Sequence, residues 1–421
     1  MVEEYRKTVR PDGIRVVTER MPHVRSVAVG IWVDAGSRNE PDGRAGISHL
    51  IEHLVFKGTS SRTAEEIARA TDSVGGQMDA FTAKEHTCFY VSVLDEHLPL
   101  AVDLLSDILL HPLFSAEDIE REKSVVLQEI KMVEDTPDDL IHDLFAARIW
   151  PNHPLGRPVL GSREAVQSFS RETILRHFSE QYCPEKIIIA VAGNVEHGRV
   201  VELFAERFNG SLSRPTLYDA PPPVLTPVQD MIVKTLEQVH LVVGFPGLPR
   251  GAAERYALYV LNDVIGGGMS SRLFQEVRER RALVYTIYSG TQAYRDTGVL
   301  YISAASDAQN FPEVWRSILK EIRALKKDGI SADELRRAKD HLKGSLMLSL
   351  ESTSSRMNRL AKQELSFGAF FSLDEMLAEI DRVQEEDVQS LIHRLLDEDQ
   401  LALLTLGPLD RRNLPQDLLK H

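Results

Sequence analysis

The chain of 421 residues holds only two cysteines, Cys88 and Cys183. Two cannot make a disulfide framework, and they exclude a cysteine-based zinc site. So few thiols agree with a reducing compartment, and a cytoplasmic location is expected. No run approaches 18 uninterrupted apolar residues, so no transmembrane helix and no membrane partner are expected. No apolar segment of signal-peptide type follows Met1-Val2-Glu3-Glu4-Tyr5-Arg6-Lys7. Without one, the Asn209-Gly210-Ser211 sequon reads as coincidence. Positive charge is short as well: 49 Lys and Arg stand against 63 Asp and Glu, for a net charge of −14. That balance argues against nucleic acid as a partner. Gly266-Gly267-Gly268 lacks the Gly-Lys-Ser/Thr ending of a phosphate loop and reads as a turn.

What is present describes a globular protein, with 43% hydrophobic and 27% charged residues. The length exceeds what one core accommodates and predicts two domains of about 200 residues. Strands are expected at 14–18, 26–33 and 186–193, and helices at 64–73, 97–109, 115–133, 137–150, 171–181 and 198–208. Residues 75–93 read as a turn with one or two strands, a hairpin carrying no chemistry of its own. The proline-rich stretch 211–228 reads as an interdomain linker. In the second half a helix is expected over Ser270–Arg281, a strand over Leu283–Tyr288, helices at 311–327, 332–349, 351–366 and 375–382, and a last strand at 401–406.

The second half restarts the programme of the first. Gly58-Thr59-Ser60-Ser61-Arg62 recurs as Gly268-Met269-Ser270-Ser271-Arg272, an offset of 210. The segment Ser115 to Lys123 recurs as Ser331 to Lys339, an offset of 216. Strand Val27–Val33 has a counterpart in Val239–Phe245. The expected fold is therefore α+β: two homologous domains, each a mixed, mostly antiparallel sheet packed with helices. The boundaries fall at 1–210, 211–229 for the linker, and 230–421.

The chemistry centres on Gly46-Ile47-Ser48-His49-Leu50-Ile51-Glu52-His53-Leu54-Val55-Phe56. This reads as a buried helix with His49 and His53 one turn apart on the same side and Glu52 in the same arc. A lone histidine on an apolar face is ordinarily a satisfied core residue. Two histidines and a glutamate together are costly to bury unless paired or bound to metal. Stacked imidazoles suit zinc, and an adjacent carboxylate suits a base for zinc-activated water. The spacing H-x-x-E-H inverts that of H-E-x-x-H peptidases. On the helix that begins at Ser115, Val125, Val126, Met132 and Val133 share a face with Glu122 and Glu129. Carboxylates on a core-facing stripe are uncommon, and Glu129 is the best third ligand.

The repeat is an internal control. At its two offsets His49, Glu52, His53, Glu122 and Glu129 fall on Tyr259, Asn262, Asp263, Ala338 and Ser345. Capping and loop residues recur, whereas these five do not. They therefore serve one site in the first half rather than the fold.

With this motif, the Glu122–Glu129 pair and a degenerate second copy, the chain resembles the insulinase/pitrilysin family of zinc metallopeptidases. In size it is similar to the mitochondrial-processing-peptidase-like branch and its bacterial relatives. The resemblance covers nearly the whole chain and implies a clamshell of two domains. The family's third ligand follows the motif by about 75 residues; here residues 54 to 128 intervene before Glu129. A glutamate seven residues earlier, here Glu122, supports the site from behind. The resemblance also implies roles for Arg278 and Tyr285, spaced by seven after Ser271-Arg272-Leu273-Phe274-Gln275-Glu276-Val277. From pattern alone Arg278 is a solvated helix residue and Tyr285 a core one. Asp79, Ala80, Phe81 and Thr82 resemble the family's edge strand that pairs with substrate backbone, with Asp79 where asparagine is common.

The expected function is that of a zinc-dependent endopeptidase acting on short or extended polypeptides. One Zn2+ per chain is held by His49, His53 and Glu129; Glu52 is the base, and Arg278 and Tyr285 assist. Because relatives enclose substrate between domain pairs, a homodimer is implied. The alternative is a non-catalytic or partner-dependent structural subunit of the same fold.

Overall fold

The structure, a computed structural model, describes residues 4–208 and 221–409. Residues 209–220, with the sequon and much of the expected linker, lie outside the described residues. The chain forms two compact units. The first comprises Met1–Met132, Arg157–Ala220 and Leu348–Ser372; the second comprises Val133–Gly156, Pro221–Met347 and Leu373–His421.

The sheet of the first unit contains β1 (Glu4–Val9), β2 (Arg15–Arg20), β3 (Ser26–Val33), β4 (Gln77–Thr82), β5 (Thr87–Leu94) and β6 (Ile187–Gly193). Its order is β1-β2-β6-β3-β5-β4. The β2–β6 pair is parallel and the others antiparallel. β3 and β6 are unbroken apolar runs because both of their faces are covered. Val27, Val29, Ile31 and Val33 face a core built with α1 (Ile47–Leu54), α2 (Ala64–Asp72), α3 (Leu98–Leu110) and α4 (Ala116–Asp135). The alternate residues Ala28 and Trp32, with Ile188 and Ala190, face Met357, Leu360 and Ala361 of the helix Thr353–Phe367. β4 closes one end of the sheet, so its outer backbone groups meet no further strand among the described residues.

The second unit repeats this plan with β7 (Gln229–Val233), β8 (Val239–Pro246), β9 (Thr286–Ala293), β10 (Gly298–Ser306) and β11 (Ala402–Gly407), in the order β7-β11-β8-β10-β9. Strand for strand this matches β2-β6-β3-β5-β4, down to the parallel β7–β11 pair. Here α5 (Pro137–Ile149) covers the second face of the sheet, through Ile141, Phe145 and Ile149. In each unit a glycine lets the covering helix approach. A Cβ on Gly30 would lie 2.5 Å from Met357 Sδ, and one on Gly244 would lie 2.4 Å from Phe145 Cζ. The recurring loop arginines each hold a helix carboxylate, on helices that are not counterparts in the repeat. Arg62 binds Asp107 at 2.8 Å and Arg272 binds Glu334 at 2.6 Å.

Three expectations change. The strand expected over Leu283–Tyr288 begins only at Thr286; ahead of it Val284 is buried and Leu283 packs against the same core, while Tyr285 is exposed. The helix expected over Ser270–Arg281 is π-helical across Phe274–Arg280, a widening that recurs at functional sites. β7, β10 and the helices Arg255–Asn262 and Glu385–Leu395 are additional elements; β7 pairs with the distant β11, and β10 forms a hairpin with β9 and pairs with β8 on its other side.

Candidate metal centre

α1 starts at Gly46, whose φ of 94° is left-handed and favours glycine. A side chain caps this start from outside the helix: the Glu40 carboxylate accepts from the amides of Gly46 (2.9 Å) and Ser48 (2.8 Å). Burial pushes the Glu40 carboxyl up to about 7, against the lowering effect of those amides. Ile47, Leu50, Ile51 and Leu54 enter the core. That orientation leaves His49, Glu52 and His53 half-buried on the opposite arc.

α4 supplies the remaining residues. Its buried stripe is Ile119, Glu122, Lys123, Val126 and Ile130. Val125 and Met132, expected on that stripe, are instead 36% and 63% exposed. The carboxylates lie as expected, two turns apart on the face toward α1. Glu129 Oε2 is 3.6 Å from His49 Nε2 and 3.6 Å from His53 Nε2. One ligand atom from each of the three residues lies within 4.8 Å of the others.

These distances are too long for hydrogen bonds. They fit a shared ion, since tetrahedral ligands about 2.1 Å from one centre are about 3.4 Å apart. Among the described residues Glu129 Oε2 is buried with no hydrogen-bond partner. Burial, and next the His53 ring, lower His49 to about 4, so its imidazole is neutral near pH 7. Neutral imidazole is the ligating form. The donor set therefore suits a zinc ion.

Around this triad, Glu122 Oε2 faces His53 Nδ1 at 3.2 Å. Glu52 does not join the triad. Its Oε2 accepts from the Thr82 hydroxyl at 2.5 Å. Burial raises the Glu52 carboxyl, against the lowering effect of that hydrogen bond. Thr82 ends β4, which forms a hairpin with β5 as its pattern suggests. Met78 and Ala80 pack toward the α1 side of the sheet and Phe81 toward the other. The Ala80 amide donates to Asp79 Oδ1 at 2.8 Å, which satisfies one donor of this edge strand.

Arg278 and Tyr285 belong to the second unit. The Arg278 guanidinium lies 4.6 Å from the Phe274 ring centroid and 5.1 Å from that of Tyr285. Tyr285 is 79% exposed, so its reading as a core residue is wrong. The chain turns at Ala282 (φ 51°) and buries Val284 in its place.

Pattern reading misses three contacts: the Glu40 cap, the Thr82 hydroxyl on Glu52, and an ion pair between Lys57 and Glu122 at 3.0 Å. Only Lys57 left a trace, since it follows His53 by four residues. The other two join distant segments and leave no local signal.

Residues 15–163 match the family described as Insulinase (Peptidase family M16), and residues 168–342 match the Peptidase M16 inactive domain. A Bacillus subtilis protein called an uncharacterized zinc protease is 43% identical over 398 residues, 94% of this chain and 97% of its own. One from Mycobacterium leprae with the same description is 42% identical over 419 residues, 98% of this chain and 94% of its own. Among solved structures, a protease from Helicobacter pylori superposes with a TM-score of 0.89 at 22% identity, over 97% of this chain and 100% of the other. A peptidase M16 inactive domain from Pseudomonas fluorescens gives 0.90 at 19% identity, over 97% and 99%. These two likenesses show the fold.

Proposed function

This chain belongs to the insulinase family, peptidase family M16, and from that premise we propose that it is a zinc-dependent endopeptidase of short or extended polypeptides. The observation that carries the reading is the convergence of His49 Nε2, His53 Nε2 and Glu129 Oε2, which accepts no hydrogen bond among the described residues, with Glu52 on the same arc of α1. His49, His53 and Glu129 would hold one zinc ion per chain, and three protein ligands are the number that catalytic sites use. When bound, zinc supplies Lewis acidity, polarising a peptide carbonyl and lowering the pKa of water toward neutral.

The chain's own groups do the rest. Glu52 is the general base. Thr82 occupies its Oε2, so Oε1 takes the proton from the attacking water and returns it to the leaving amine. Glu122 orients the His53 ring through Nδ1. Asp79 to Thr82 of β4 receive the substrate as an added strand by main-chain hydrogen bonds. A strand that uses the Ala80 amide displaces the Asp79 carboxylate. Arg278 binds a substrate carbonyl, and Tyr285 donates to the developing oxyanion. The first half, 1–210, supplies metal and base, and the half 230–421 supplies this Arg/Tyr pair. The same reading takes the protein to be a homodimer in the cytoplasm. Among the described residues no helix is long and apolar enough to cross a membrane.

The test is cleavage of an unstructured basic peptide by the purified protein alone. Activity that a chelator removes and added zinc restores supports the reading. A zinc-loaded protein that cuts no peptide would favour the structural-subunit alternative.

A further inference from the structure

We infer that Lys57 is a positioning residue of the metal centre: its ammonium holds the Glu122 carboxylate so that His53 presents Nε2 to the metal. The inference rests on the zinc reading above and extends it to a residue outside the ligand set.

Glu122 is a bridging carboxylate. Its Oε1 takes Lys57 Nζ at 3.0 Å and its Oε2 faces His53 Nδ1 at 3.2 Å. Its side chain is only 2% exposed. A carboxylate that deep is costly without a counter-charge, and removing one partner of a buried pair leaves the other uncompensated. Lys57 supplies that charge from the end of the helical turn Val55–Lys57, one turn beyond His53, with its side chain 35% exposed. With Glu122 so held, the Nδ1–H of His53 donates to Oε2. The Nε2 lone pair is then left facing Glu129 Oε2. His49 is a contrast, since its Nδ1 is buried without a hydrogen-bond partner among the described residues. The Lys57–Glu122 arm therefore fixes one imidazole of the two.

The repeat again separates site from fold. At its offsets, Lys57 falls on Gly267, Glu122 on Ala338 and His53 on Asp263. In the second unit Asp263 pairs directly with His341 Nδ1 at 2.6 Å. Among the described residues the copy without the ligand set thus makes this link by a direct Asp–His pair, with no ammonium between. Lys57 has gone together with the ligands it would serve.

The experiment titrates zinc into metal-free wild type, Lys57→Met, Lys57→Gln and Lys57→Arg against a chromophoric chelator near neutral pH. Metal-free melting temperatures are measured alongside. Lys57→Met removes the ammonium and keeps most of the stem, and Lys57→Gln serves if that variant does not fold. The expected result is a zinc Kd raised about 10–100-fold in both, the range for loss of an outer-shell partner. Lys57→Arg should recover most of the loss. An unchanged zinc Kd in Lys57→Met or Lys57→Gln, with or without a lower metal-free melting temperature, means a structural role only and overturns the inference alone. A wild type that binds no zinc overturns the zinc reading and the inference together.

Discussion

Replacing Thr82 by Val tests how the fold prepares its base. The substitution keeps the shape of the side chain and removes the hydroxyl that donates to Glu52 Oε2 at 2.5 Å. In the native site burial raises the Glu52 carboxyl and this hydrogen bond is the largest opposing influence. A hydrogen bond to a charged group contributes about 1.5–3 kcal/mol. Its loss leaves the burial of Glu52 less opposed and should therefore raise the Glu52 carboxyl further. The assay is the pH dependence of kcat/KM on a fluorogenic peptide, whose acid limb reports the base in the free enzyme. In Thr82→Val the limb should move to higher pH, with near-native activity above it. Thr82→Ser, which keeps the hydroxyl, should restore the native profile. An acid limb that stays in place, or moves to lower pH, refutes the reasoning even if overall activity falls.

Other perturbations have equally definite outcomes. Glu129→Ala should lose bound zinc, measured as metal content after dialysis, whereas Ser345→Ala at the matching position of the second copy should not; equal retention removes Glu129 from the site. Gly30→Ala places a Cβ 2.5 Å from Met357 Sδ and 2.9 Å from Trp32 Nε1. It should cost about 1–3 kcal/mol of stability in urea denaturation, and no loss would contradict the close packing there. Burial holds His177 down to about 3, against 6.5 for an ordinary histidine. The unfolded chain therefore binds more protons in that window, and stability falls as pH drops from 6.5 toward 3. Denaturation of the metal-free protein at pH 7 and pH 5 should show a smaller loss for His177→Gln than for wild type, and equal losses would count against the buried neutral imidazole.

The parts of this site legible from sequence are those fixed by local periodicity. α1 and α4 each carry polar residues that 3.6-residue spacing gathers on one face. The spacing places His49 beside His53, and Glu122 two turns from Glu129. The missing ligands in the repeat then separate chemistry from fold. Contacts between distant segments leave no such mark. The Thr82 hydroxyl reaches Glu52 across 30 positions, and Glu40 caps α1 from outside the helix. The helix Thr353–Phe367 covers a sheet whose strands end by Gly193. Tyr285 was misread for a related reason: its apolar neighbours suggest a strand, but the turn at Ala282 puts Val284 inside and leaves Tyr285 in solvent.

In the proposed mechanism Glu52 moves the proton while His49, His53 and Glu129 hold the metal. Its most direct test is Glu52→Gln, assayed in one preparation for zinc content and peptide turnover. The variant keeps the size of the side chain and an oxygen able to accept from Thr82. The account predicts about one zinc per chain, as expected for wild type, with turnover reduced by about 10²–10⁴-fold, the range for loss of a general base. Undiminished turnover at full zinc occupancy would contradict it.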